Sequence, residues 1–220
     1  MNIIDIPTEQ TTAATDFILF VISLWAIFVI RKSAGEQSKL KARIWIWVFI
    51  LLAIAALFGA LAHGFQMSEK TNLLLWQPLN LSLGLSVSLF AAAALVDMNK
   101  GKLPKAVIPG LMALGFIFYF ITVFIPGSFL IFIIFEAVVM LFALVTYIFL
   151  AVKKILKGAW WMVGGILITI VAAVIQAMGT TRVEFIWQFD HNGIFHIVQM
   201  AGIFVLLKGL TIDFNAKSQR

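Results

Sequence analysis

The 220-residue chain contains no cysteine. Disulfides, thiolate metal sites and thiol nucleophiles are therefore excluded. Charge is scarce as well. Asp, Glu, Lys and Arg make up 12% of residues, against about 25% in an ordinary soluble domain. No Lys or Arg occurs between Met1 and Ala14, a stretch that carries Asp5 and Glu9. A cleaved signal needs a basic start, so none is expected here. Low-complexity tracts and internal repeats are also missing. Histidine occurs three times, as His63, His191 and His196.

What the chain has is apolar bulk. Apolar residues reach 62% and the mean hydropathy is +1.05. Runs of ~20 apolar residues recur, each long enough for a hydrocarbon layer ~30 Å thick. They are too long and too uniform for alternating barrel strands, so the fold class is an all-α membrane bundle. Seven spans are predicted in one domain covering residues 1–220: 16–30, 42–65, 73–96, 106–125, 128–150, 159–178 and 193–210. Short links make sequential helices antiparallel neighbours. Pro126-Gly127 reads as a tight turn. The long connection from Gly179 to Asn192 has room for a lid or a short interfacial helix.

Net charge is +6. The basic residues sit between the apolar runs, so topology accounts for them and nucleic acid is not an expected partner. Arg31, Lys32, Lys39, Lys41 and Arg43 follow span 1. Lys100, Lys102 and Lys105 follow span 3, and Lys153, Lys154 and Lys157 follow span 5. Lys208, Lys217 and Arg220 lie at the C-terminal end. Only Lys70 and Arg182 fall on the opposite side. Basic loops stay in the cytoplasm, so the N-terminus is expected outside and the C-terminus inside, in a plasma or inner membrane. Tryptophan follows the same partition. Trp45, Trp47, Trp160 and Trp161 are expected at the inner boundary, Trp76 and Trp187 at the outer one.

This topology brings the polar residues to one side. Span 2 travels outward and ends at His63. Span 7 travels inward and begins near His191 and His196. Asn192, His196 and Gln199 share one helical face. Asp190 is suited to cap that helix. Trp76, Gln77 and Asn80 lie in the outer half of span 3, and Gln176 ends span 6. Glu136 reads as the one carboxylate deep inside a span, and intramembrane carboxylates tend to be functional. No comparable polar set is expected in the inner half. The small residues Ser82, Gly84 and Ser86, the run Ala91 to Ala94, and Gly164-Gly165 read as helix-packing surface.

Three neutral imidazoles and a water form a known catalytic zinc arrangement. His63, His191 and His196 are the candidate zinc ligands. Asp190 and Glu136 are candidates for orienting a ligand or moving protons. Trp76, Asn80, Gln176, Asn192 and Gln199 would line the pocket. The bland readings are an interfacial or loop histidine for each imidazole, and a protonated, partnered carboxyl for Glu136.

Seven spans, an outside N-terminus, a histidine ending span 2 and a histidine-rich start to span 7 resemble the alkaline ceramidase-like superfamily, which includes the adiponectin and progestin receptors. The resemblance implies a zinc ion held by one span-2 and two span-7 histidines, and hydrolysis of a lipid amide or ester. His63 and His196 occupy family ligand positions. Asn192 stands four residues before His196 where the pattern has a histidine. Gly59 stands four before His63 where it has a serine, and the aspartate near the start of span 3 is absent. The expected function is a zinc-dependent lipid hydrolase with membrane lipids as partners and substrate. The alternative is a non-catalytic lipid or small-molecule binder, or a proton-linked transporter, using Glu136 and the outer histidines. A retinal protein is less favoured, because Lys208 is too near the inner boundary. A haem protein would rest on His63 and His196 alone.

Overall fold

A computed structural model describes residues 2–125 and 129–218. Among the described residues, seven helices are long and apolar enough to cross a membrane. They are α1 (Pro7–Ser33), α2 (Lys39–Gly64), α3 (Glu69–Met98), α4 (Val107–Phe124), α5 (Phe129–Val152), α6 (Ala159–Met178) and α7 (His191–Ser218). This is the architecture of an integral membrane protein. The predicted Pro126-Gly127 turn, the start of span 5 at Ser128 and the terminal Arg220 lie outside the described residues.

Six helices form a closed ring. α1 packs on α2, α2 on α3, α3 on α5, α5 on α6, α6 on α7, and α7 returns to α1. α4 stands outside the ring against α3. Its one buried residue is Gly115, and Phe116, Phe120 and Phe124 are exposed. The predicted packing role of Gly84 holds: a Cβ there would come within 2.9 Å of the Gly115 carbonyl. α6 and α7 also cross closely, Gly165 lying against Leu206 and Gly202 against Thr169. Small residues let backbones approach where lipid supplies no hydrophobic drive between helices.

Several helices outrun their apolar cores. α1 begins at Pro7 rather than Asp16, because proline suits the first helical turn and Glu9 follows within that turn. The tail ahead of it pairs with the end of α2: Ile4 N–H donates to Gly64 O at 3.1 Å and Gln66 N–H to Asn2 O at 2.9 Å. α3 runs through Pro78 without ending. The connection before α7 holds no interfacial helix. It is a β-hairpin, β1 (Val183–Glu184) with β2 (Gln188–Phe189), and its tip residues Phe185, Ile186 and Trp187 are exposed.

Two expectations about the basic end are corrected. Trp45 is not interfacial; it is 1% exposed and packs edge-on against Phe90. It lies on the inward face of α2, which sequence position alone does not reveal. That end also contains a buried polar cluster. Lys41 Nζ lies 2.7 Å from Asp97 Oδ2 and 2.9 Å from Asp213 Oδ2. Lys217 reaches Asp213 at 2.8 Å, and Tyr147 OH donates to Asp97 at 2.9 Å. Lys41, Asp97, Asp213 and Lys217 read as loop or terminus only while the helices are cut at their apolar limits. With α2, α3 and α7 extended, they pair inside the bundle and tie α2, α3, α5 and α7 together.

Candidate ligand-binding site

The ring encloses a cavity of about 530 Å³. Its walls are mostly aliphatic and aromatic, and its polar groups gather toward the end that carries the N-terminus. Asp16, His63, His191, His196, Trp76, Gln176, Asn192, Gln199 and Glu136 all line it. All three histidines and four of the five predicted pocket residues therefore meet in one space. Asn80 is not among the lining residues, and Asp190 does not face the cavity either.

Asp16 organises the site, and it escaped the sequence reading. It is 6% exposed and reaches His196 Nε2 with Oδ1 at 3.2 Å. Its carboxylate lies over Gly59, where a Cβ would come within 2.6 Å of Oδ2. Gly59 is one turn before His63 on α2, so the missing side chain makes room for the Asp16 carboxylate between α2 and α7. Glu136 is thus not the only carboxylate inside a span. The available signal was Pro7 with Glu9: starting α1 there places Asp16 more than two turns into the helix.

His196 sits in the buried seam between α1 and α7. Its Nδ1 is 2.9 Å from the Thr15 hydroxyl and its Nε2 faces Asp16. A hydrogen bond across the Asp16 gap requires one proton, carried by Nε2 or by the carboxyl. Threonine, imidazole and carboxylate lie in series, yet this is no nucleophilic triad. Thr15 bonds back to Thr11 O and Thr12 O and does not line the cavity.

His63 is held differently. Its Nδ1 meets Glu9 Oε2 at 2.6 Å, and its ring stands edge-on to Trp76 with centroids 5.4 Å apart. Trp76 Nε1 donates to Asn72 Oδ1 at 2.8 Å, and Asn72 Nδ2 donates to Ala62 O at 3.0 Å. The end of α2, the start of α3 and the start of α1 thus fix the imidazole together. His191 comes from the first turn of α7, and Gln176 Nε2 lies 3.4 Å from Asn192 Oδ1.

Asp190 has a structural assignment. Its Oδ1 accepts from Gly193 N–H at 2.9 Å and from the Thr12 hydroxyl at 3.0 Å, capping α7 and pinning it to α1. Partial burial pushes its pKa up. The hydrogen bonds from Gly193 and Thr12, with the nearby His191, outweigh this and hold it below the ordinary carboxylate value. The two predicted proton carriers therefore differ in place: Asp190 is turned into a cap, and Glu136 faces the cavity from α5.

The geometry also bears on zinc. Among the described residues, no three His, Cys, Asp or Glu side chains are grouped to hold a metal ion. His196 uses both ring nitrogens within the protein and His63 uses Nδ1 on Glu9. As placed, these side chains do not fit a three-imidazole zinc site.

The chain matches DUF6962, a family of unknown function, over residues 11–213, and belongs to that family. No curated protein and no solved structure matches it.

Proposed function

We propose that this protein binds an amphipathic lipid or similar molecule inside its helical ring without relying on a metal. The observation that carries the reading is the polarity of this cavity. One end offers Asp16, His63, His191, His196, Gln176 and Asn192, and the walls beyond are mostly Leu, Val, Ala and Phe, with Glu136, Ser86 and Thr169 among them. Its volume of about 530 Å³ falls within the usual range of ligand sites, ~300–1,000 Å³. A headgroup placed at the histidines would exchange water for hydrogen bonds. A tail in the apolar part would gain about 0.8 kcal/mol per buried CH₂ when it comes from water. The basic residues cluster at the opposite end of the bundle, which supports an outside N-terminus and a headgroup site at the outer face. Lipid extraction from purified protein followed by mass spectrometry tests the reading. A stoichiometric amphiphile that is lost on His63→Ala or His196→Ala supports it; a protein that carries none and is stabilised by none refutes it.

A second reading is the zinc-dependent lipid hydrolase of the ceramidase-like resemblance. His63, His196 and Asp16 do line one cavity, which favours it. It requires His191 or Asp16 to turn toward a shared ion. Metal analysis of purified protein distinguishes the two readings: zinc near one per chain supports hydrolysis, and binding without zinc supports the first.

A further inference from the structure

Two polar groups part-way down the cavity wall have no partner in the protein. Glu136 faces the cavity from α5, with Phe132 one turn before it and Met140 one turn after it on the same wall. Among the described residues, none forms a hydrogen bond or ion pair with its carboxyl. Gln199 lines the same space from α7, and its Oε1 is buried without a hydrogen-bond partner. The wall hydroxyls, by contrast, are served. Ser86 donates to Val48 O at 3.5 Å and Thr169 to Gly165 O at 3.1 Å. Buried polar groups are normally hydrogen-bonded, and an ionisable group inside a span is costly without a partner. That holds for the neutral acid as well as for the carboxylate.

Depth separates this pair from the histidine end. Gln199 lies three residues beyond His196 and eight beyond His191, about 4.5 and 12 Å along α7. Glu136 lies seven residues beyond Phe129, about 10 Å along α5. An amphiphile whose polar groups all sat at the histidines would lay only methylenes against Glu136 and Gln199 and leave both unbonded.

Resting on the binding function proposed above, we infer that the ligand carries a second polar group, a hydroxyl, part-way along its apolar body, held by Glu136 and Gln199. A hydroxyl both donates and accepts. It therefore serves a carboxyl in either protonation state. It also serves either end of the Gln199 amide, whose last torsion is soft. With the head at the histidines, a spacing of about 4.5–12 Å corresponds to about 4–10 bonds of extended chain at ~1.2 Å per bond.

The experiment uses the full chain in detergent and reads affinity from dose-dependent thermal stabilisation. The probes are 1-octadecanol, 1,8-octadecanediol and 1,16-octadecanediol. An added hydroxyl makes transfer into apolar surroundings less favourable, so apolarity alone ranks both diols below the alcohol. The expected result is that the 1,8-diol binds at least tenfold more tightly than the alcohol, and the 1,16-diol less tightly than the alcohol. Preference is taken as the ratio of two affinities within one variant, so a change in overall affinity cancels. Glu136→Leu and Gln199→Leu should each reduce the preference severalfold. Glu136→Gln, which still donates and accepts, should keep it. If one leucine variant fails to fold, the other and the two diols still decide. A 1,8-diol that binds no more tightly than the alcohol overturns the second anchor and leaves ordered water as the partner of Glu136. An equal gain from both diols, or a preference that survives the leucine changes, overturns it as well. In each of these cases binding of 1-octadecanol leaves the proposed function standing. If no probe stabilises the chain and no amphiphile co-purifies with it, the binding function itself falls.

Discussion

Replacing Gly59 by alanine should be costly for a reason specific to this fold. The added Cβ would lie 2.6 Å from Asp16 Oδ2, 2.9 Å from its Cγ and 3.0 Å from Oδ1. All three contacts belong to one buried carboxylate, so relief requires that group to move away from α2. Overpacking of this kind costs about 1–3 kcal/mol. A displaced carboxyl also loses its 3.2 Å contact with His196, and leaving a buried polar group without its hydrogen bond costs about 1–3 kcal/mol. Part of the second cost is recovered if Asp16 finds another partner. The net loss should be about 2–4 kcal/mol, or about 4–16 °C in Tm at about 2–4 °C per kcal/mol. The assay is thermal unfolding in detergent at one scan rate, arranged as a double-mutant cycle with Asp16→Ala. In the Asp16→Ala background the obstructing group is gone, and alanine is the better helix former by up to about 1 kcal/mol. Gly59→Ala should therefore destabilise the native chain and stabilise the Asp16→Ala chain. Equal costs in both backgrounds, within about 0.5 kcal/mol, would show that the carboxylate does not pack over Gly59.

Three further outcomes are expected. Lys41→Met removes the cation shared by Asp97 and Asp213; Asp213 keeps Lys217, but leaving the buried Asp97 carboxylate without a cation should cost about 3–5 kcal/mol, and the double change with Asp97→Asn should recover much of it, measured by Tm. Asp190→Ala should cost about 0.5–2 kcal/mol through loss of the α7 cap. Because the folded-state pKa of Asp190 lies below its ordinary value, its contribution is present above that value and is lost as pH falls through the folded pKa, so native and Asp190→Ala stabilities should converge in acid; a gap that persists below both values would refute the assignment. A reporter fused after Arg220 should behave as cytoplasmic, and one placed ahead of Asn2 as external; the reverse result would overturn the orientation drawn from the basic residues.

Fold class was legible because it depends on local quantities. Run length and hydropathy identify helices that must satisfy their own backbones in lipid, and each of the seven spans is present. The meeting of His63, His191 and His196 at one cavity was legible too, since alternating direction fixes which helix ends share a side. Helix ends were less so. The start of α1 depends on Pro7 and Glu9, and the far end of α7 carries Asp213 and Lys217 beyond the apolar run. Polar residues there look like tail until a neighbouring helix supplies their partners.

Which face each helix turns inward was decided only by packing. Trp45 and Trp47 are two residues apart on α2, yet one is buried at the cavity floor and the other is 52% exposed. Hydropathy cannot separate them, because a lipid-facing surface and a bundle interior are both apolar. Asp16 belongs to the same class. Its pairing with His196 and its position over Gly59 join residues from three helices far apart in the chain. The sequence by itself determined how many helices there are and which ends lie together; only the tertiary structure decided which carboxylate meets which imidazole, because that depends on helix rotation and close approach between backbones.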